Sequence, residues 1–441
     1  MILVFTMYAS FVAFIYAVVR RFTRSSHDSK PLVQVVVLGD VGHSPRMQYH
    51  ALSLANTGRV SVEIVGFRGS PALESVVEHA DIKIRYIRQL SIPASWRVPF
   101  VVYAVGRVVF ESVQLFCVLI FSARRAEFVL VQTPPAAPSI FICLLVRALR
   151  GTKVVLDFHN ITFMHLESKV GSGLLVMMVR WYEKCVARFA SASLCVTRAM
   201  REFLISEFSL KNVTTLYDRP GSQFRGRTAT KPLLHLSLPE FDYLLISSTS
   251  WTADEKFSLL LEALPGYSKG LASKKALLFI TGKGEGRARF VSDFKKLNLS
   301  NVELRAEWVA AADYPLLLGL ADVGVCLHSS TSKLDLPMKV VDMLGSELPV
   351  VALAYDVLAE FDVEGKAEGN NILKFNTGVE LAECLLKLTV EDSEGSLRRA
   401  GQKFAANWRK SSWDSEWTRV AWPALERILP RQSRQARRRV G

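Results

Sequence analysis

The sequence predicts an α/β protein of two successive Rossmann-like units, preceded by an apolar N-terminal segment. Three observations predict it. At 441 residues the chain is too long for one ordinary core and suits two domains of about 200 residues each. Short apolar runs alternate twice over with helical stretches, on either side of a polar, proline-bearing tract, and such alternation builds parallel sheets covered on both faces. Residues 1–19 carry no charge at all.

Composition narrows the class. Half of the residues are hydrophobic and 22% are charged, which excludes disorder over most of the length. A mean hydropathy of +0.20 is high for a soluble enzyme and points to membrane contact. The net charge of +14 suits nucleic acid, anionic lipid or phosphorylated substrates. Much of the excess lies at the ends, in Arg20, Arg21 and Arg24 and in Arg431, Arg434, Arg437, Arg438 and Arg439. No basic recognition helix, RNP-like motif or zinc-finger spacing accompanies it, so nucleic acid is set aside. The six cysteines, Cys117, Cys143, Cys185, Cys195, Cys326 and Cys384, form no CxxC pair and sit in apolar contexts. They read as reduced core residues, so the bulk of the chain is expected in a reducing compartment.

In residues 1–19, ten Ile, Leu, Val or Phe side chains contribute about −3 to −6 kcal/mol to insertion. No charged region precedes the run and no small-residue cleavage site follows it, so it reads as a signal anchor rather than a cleaved peptide. Arg20 and Arg21 come next and hold the following chain in the cytosol by the positive-inside rule. A second apolar stretch, 98–121, is interrupted by Arg107 and Glu111. It reads as a membrane-dipping or buried amphipathic helix rather than a spanning one.

The first strand is expected at LVQVVVL (32–38), with further strands at 60–65, 128–131, 154–157 and 194–196. Helices are expected at 46–56, 138–150, 177–188 and 198–208. After the tract at 219–239, alternation restarts. Strands are expected at 243–247, 276–280, 302–305, 323–327 and 350–353, and helices at 255–264, 314–320 and around 340–343. The resulting organisation is an anchor (1–19), a linker (20–30), a first Rossmann-like domain (31–232), a second (240–405), a helical segment (406–430) and a basic tail (431–441).

In such folds ligands bind beyond the carboxyl ends of the strands, and polar residues cluster there. The first strand runs into Asp40-Val41-Gly42-His43-Ser44-Pro45-Arg46, where a glycine permits close approach and a helix N-terminus presents N–H groups to an oxyanion. The spacing is not GxGxxG, so no dinucleotide fingerprint is present. Asp157-Phe158-His159-Asn160 closes another strand, with Asp157 placed to orient His159. In the second unit, Ser250 lies in a Ser/Thr-rich loop, Gly282-Lys283-Gly284 follows a strand, and His328 and Ser329 open a polar loop. That loop leads to a helix carrying Lys339 and Asp342 on one face. Small residues with a lysine suit a diphosphate, and a carboxylate one turn later accepts both hydrogen bonds of a ribose diol. No cluster has metal-ligand spacing.

The motifs GDVGHSPRMQYHALSLA (39–55), LVQTPPAAPSI (130–140), DFHN (157–160), YEK (182–184), LCVTRAMRE (194–202), LYDRP (216–220), SSTSWTADE (247–255), ITGKG (280–284) and LDLPMKVVDMLG (334–345) resemble one family. It is the chitobiosyldiphosphodolichol beta-mannosyltransferases, glycosyltransferase family 33 of the GT-B superfamily. The resemblance covers residues 35–422. In GT-B enzymes an acidic residue seven positions before a Pro-Val strand start binds the donor ribose, and Asp342 and Pro349 match, with Asp where Glu is usual. His43 stands where the family has Arg, and Phe158 where it has Trp. The Arg-rich tail is outside the pattern.

The resemblance implies two Rossmann-like domains facing a cleft. It implies GDP-α-mannose as donor and dolichyl-diphosphate chitobiose as acceptor. The product is a β-1,4-mannoside formed by inversion in N-glycan precursor assembly, on the cytosolic face of the endoplasmic reticulum membrane. Asp40 and His159 are the candidate bases. Gly42, Ser250, Gly282, Lys283, Gly284, His328, Ser329, Lys339 and Asp342 are the candidate donor contacts. Trp308 is a residue to flank guanine or pack in the core. No obligate cofactor or metal is expected, and other dolichol-pathway mannosyltransferases are candidate partners. A GT-B transferase acting on another lipid, and an inactive membrane scaffold of this fold, are the rival readings.

Overall fold

The computed structural model describes residues 30–90, 100–121, 124–221, 223–224, 238–252, 255–310, 312–364, 372–392 and 395–430. The expected anchor at 1–19, all but the last residue of the linker, and the basic tail lie outside them.

The described chain forms two compact units, the first running through Leu216 and resuming at Glu416, the second spanning Tyr217–Ser415. The first holds a seven-stranded, wholly parallel sheet: β1 (Leu32–Asp40), β2 (Ser61–Phe67), β3 (Ile82–Ile87), β4 (Ala126–Thr133), β5 (Lys153–Phe158), β6 (Ala192–Cys195) and β7 (Val213–Thr215). Their spatial order is β3-β2-β1-β4-β5-β6-β7. Val33, Val35, Val36 and Val37 of β1 are all buried, as a central strand covered on both faces requires.

Between the strands run α1 (Pro45–Asn56), α2 (Glu74–Val77), α3 (Phe100–Phe121), α4 (Ser139–Arg150), α5 (Thr162–Val170), α6 (Leu174–Ala187) and α7 (Arg198–Ser206). Their ends follow local chemistry. α1 opens with Pro45 in its first turn, where no N–H is needed. α4 stops at Gly151, which takes φ +71°. Thr197 caps α7 by accepting from the Met200 N–H at 3.0 Å.

The second unit holds β8 (Tyr243–Ser248), β9 (Ala276–Thr281), β10 (Val302–Glu307), β11 (Val323–Cys326), β12 (Val350–Leu353) and β13 (Ile372–Phe375). Their order is β10-β9-β8-β11-β12-β13. Its helices are α8 (Phe257–Gly270), α9 (Gly286–Lys296), α10 (Tyr314–Leu320), α11 (Met338–Gly345), α12 (Ala359–Glu364), α13 (Gly378–Thr389) and α14 (Ser396–Arg409). Beyond them, α15 (Trp413–Glu416), a π-helical turn (Trp417–Ala421) and α16 (Trp422–Glu426) follow in sequence.

Proline clustering put the first domain's end at residue 232, whereas the compact unit ends at Leu216. The reason is packing: Pro220 and Phe224 lie against Gly345 of α11, and Arg219 stacks over Trp408 of α14. Among the described residues no helix is long and apolar enough to cross a membrane. In α3, Arg107 and Glu111 pair at 2.8 Å within one turn, with Glu111 buried.

Strand order reverses between β1 and β4 in the first sheet, and between β8 and β11 in the second. The carboxyl ends of strands flanking such a reversal are where this class of fold binds ligands.

Candidate active site

At the first reversal, the β1 end is tied down by Asp40. Its Oδ1 accepts from the Gly42 N–H at 3.0 Å and its Oδ2 from the Ser70 N–H at 2.8 Å. The Nδ1 of His43 lies 2.6 Å from the same Oδ2. Burial alone would raise the Asp40 pKa, but these backbone and side-chain donors outweigh it and hold the carboxyl below its ordinary value. With both oxygens occupied, Asp40 is suited to hold the loop and to orient His43, whose ring is 77% exposed. Only glycine fits at 42, because a Cβ there would strike the backbone carbonyls of Ser70 and Pro71.

At β5, Asp157 is fully buried. The Arg46 guanidinium grips it with Nε to Oδ2 at 2.9 Å and Nη2 to Oδ1 at 3.0 Å. His159 Nε2 approaches Oδ2 at 2.8 Å and His50 Nε2 at 3.2 Å. Burial opposes ionisation here, yet Arg46 and the two histidines hold the carboxyl well below its ordinary value. An ionised carboxylate can only accept. The His159 Nε2 facing it therefore carries the hydrogen, and in the neutral ring Nδ1 keeps the lone pair. The His159 side chain is 24% exposed, and its backbone N–H is anchored to the Thr133 carbonyl at 2.9 Å.

The YEK motif acquires a reason here. Glu183, fully buried on α6, accepts from the Thr162 and Phe163 N–H groups at 3.0 and 3.1 Å. It thereby caps α5, which starts three residues after His159. Burial raises its carboxyl pKa.

In the second unit, the β8 and β9 loops pack backbone to backbone. A Cβ on Gly282, which has φ +150°, would overlap the Thr249 carbonyl, and one on Gly284 would overlap that of Ser250. The Trp251 indole N–H donates to the Gly282 carbonyl at 3.1 Å, and its ring stacks on Phe257 with centroids 4.8 Å apart. These two glycines therefore serve loop packing first. Lys283 sits 3.9 Å over the ring of Trp308. That indole is largely exposed, which removes core packing as its role.

Past β11, His328 bridges to Glu255 through the backbone, and Ser329 is half-buried. Asp335 accepts from Ser332 Oγ at 2.9 Å and also from Ser330 Oγ, so it shapes this loop. Lys339 is ion-paired with the buried Glu255. Asp342 does not share that partner. Burial, with the neighbouring Asp218 carboxylate second, pushes its pKa up to about 7.

Sequence reasoning missed Asp335, Glu255 and Glu183 because each works on residues that fold beside it. The SxSxxD spacing of 330–335 was the one available signal.

A family model described as a glycosyl transferase 4-like domain matches residues 41–251. The chitobiosyldiphosphodolichol beta-mannosyltransferase of Homo sapiens is 37% identical over 441 aligned residues, covering 89% of this chain and 92% of that protein. The chain belongs to the chitobiosyldiphosphodolichol beta-mannosyltransferase family. The family's Candida albicans member is 32% identical and covers 90% of this chain and 88% of its own. An Arabidopsis thaliana protein named UDP-glycosyltransferase TURAN is 34% identical, covering 90% of this chain and 97% of that one. Among solved structures, sucrose-phosphate synthase from Thermosynechococcus elongatus superposes with a TM-score of 0.63 at 12% identity, covering 91% of this chain and 100% of that chain. Anabaena HepE, in complex with UDP and glucose, gives 0.62 at 14% identity, covering 90% and 100%. This family member is a glycosyltransferase with the GT-B fold.

Proposed function

We propose that this chain transfers mannose from GDP-mannose to dolichyl-diphosphate-linked chitobiose, with inversion, to give a β-1,4-mannoside. One observation carries the reading: family members bearing that name match about nine-tenths of the chain. In this reading the first unit takes the acceptor, the second takes the donor, and residues 1–19 anchor the chain in the endoplasmic reticulum membrane with both units in the cytosol.

Inversion is a single displacement. The acceptor hydroxyl attacks the anomeric carbon, the bond to GDP breaks, and a base removes the hydroxyl proton. His159 suits that task, since the buried Asp157 fixes its ring and leaves Nδ1 as the proton-accepting nitrogen. The Asp40–His43 pair is the second such arrangement in the unit. As GDP leaves, charge grows on its diphosphate and is met by preorganised donors. Glu255 aims Lys339, whose ammonium has three N–H donors, and Lys283 adds a second cation. Asp342 accepts from the ribose hydroxyls. This scheme asks for no obligate metal; turnover that survives EDTA would support it, and turnover abolished by EDTA would overturn it.

The test is transfer of labelled mannose from GDP-mannose to a phytanyl- or dolichyl-diphosphate chitobiose, followed by β-mannosidase. A trisaccharide sensitive to the enzyme supports donor, acceptor and inversion together. The name of the Arabidopsis relative raises a UDP-sugar donor as the second reading. Product from a UDP-sugar and none from GDP-mannose would replace the first.

A further inference from the structure

We infer that the outer face of the α3–α6 layer in the first unit is a docking surface for a lipid bilayer with anionic headgroups. These helices form one continuous layer, α3 against α4, α4 against α6 and α6 against α5. Their sides turned from the sheet are apolar and exposed: Val105, Val109 and Val113 on α3, Phe141 on α4, and Met178 and Trp181 on α6. On α3 these three valines recur every four residues and stay exposed, whereas Leu115 and Leu119 further along the helix are buried. The layer across the sheet, α1 and α2, exposes Val77 alone among its large hydrophobic residues. A one-sided apolar surface of this breadth marks an interaction site.

Two observations select the bilayer as occupant. The first is charge. With Arg107 paired to Glu111 and Arg180 to Glu207, the charge these helices present comes from Arg147, Lys169 and Lys184 against the single accessible carboxylate Glu167. Basic residues bordering an apolar face with an outward tryptophan are what an anionic interface attracts. The second is where the chain enters. Arg124, three residues past the exposed Phe121 that ends α3, donates to the Lys30 carbonyl at 3.1 Å. The uncharged run 1–19 is joined to Lys30 by ten residues, at most about 36 Å of chain, so this layer is within its reach. α5 starts three residues after His159, which puts the surface next to the proposed base. A lipid-linked acceptor would then meet the base at the membrane.

The test is photolabelling of the full chain reconstituted in vesicles of phosphatidylcholine and phosphatidylserine carrying an acyl-chain diazirine, with adducts mapped by mass spectrometry. Adducts on peptides covering 102–113 and 174–181, and none on α1 or α2, are expected. Adducts confined to 1–19 would overturn the inference. So would chain-to-chain crosslinks through α3 and α6 in their place, which mark a second copy as occupant. A second readout rests on the proposed transferase activity. Replacing Met178 and Trp181 by Glu should raise the apparent KM for a bilayer-embedded acceptor at least tenfold while leaving a detergent-dispersed short-chain acceptor unchanged. An equal loss on both acceptors counts against docking. Photolabelling reports on the surface even if the activity proves to be different.

Discussion

The indole N–H of Trp417 donates to Nδ1 of His50 across 2.9 Å in the buried interior of the first unit. An indole can only donate, so this bond fixes the His50 tautomer. Nδ1 is the acceptor and Nε2 carries the hydrogen turned toward Asp157, 3.2 Å away. Burial lowers the His50 pKa against the pull of Asp157, in keeping with a neutral ring. Trp417→Phe keeps most of the volume and removes the donor. We expect it to cost about 1–3 kcal/mol, the penalty for a buried acceptor left unmade, read as a lowered Tm and denaturant midpoint. Unchanged stability would separate Trp417 from the Asp157 cluster.

Arg46 and Asp157 form a pair with almost no solvent access. Removing one partner strands the other. Arg46→Met should cost about 3–5 kcal/mol, while Arg46→Met with Asp157→Leu should recover part of that loss. Equal destabilisation of the single and double variants in chemical denaturation would argue that the bidentate grip contributes little.

His159→Ala should lower kcat about 10²–10⁴-fold with donor KM nearly unchanged, and His43→Ala should act more weakly. The measurement is steady-state kinetics with both substrates varied. The reverse order of effects would move the base to the Asp40–His43 pair.

Asp342 carries a pH signature. Its folded pKa, pushed up to about 7, stands above the ordinary carboxylate value. The stabilising contribution is therefore fully present below about pH 4 and is lost as pH rises toward about 7. Melting curves of the ligand-free protein should show that decline in the wild type and a flatter profile in Asp342→Asn. Donor KM should rise in the same variant. Parallel profiles would mean that the carboxyl titrates normally.

What the sequence revealed and concealed follows from position in the sheets. The interior strands announced themselves by unbroken apolar runs: Val350–Leu353 has the expected bounds, and the others differ by a few residues. The strands that escaped notice are β3, β7 and β13, all sheet edges. IKIRYI lacks the unbroken apolar run of an interior strand, its alternation of apolar and charged residues being the pattern of a half-buried one, and β7 has three residues, too few for periodicity to register. The strand-end loops were legible for the same reason as the interior strands, since chemistry collects where those strands stop. Their partners were not. Asp157 meets Arg46 from 111 positions away, Lys339 meets Glu255 from 84, and His50 meets Trp417 from 367. Such pairings exist only once the chain is folded.

The return of residues from Glu416 onward to the first unit bears on synthesis. A nascent chain that has cleared the ribosome through Leu216 holds all seven strands of that unit but lacks Trp417 and the Arg59–Glu426 ion pair. A stop codon anywhere in the second unit therefore damages both units at once. The truncated product leaves His50 and its surroundings open, a defect that chaperones and proteases can read long before any substrate could.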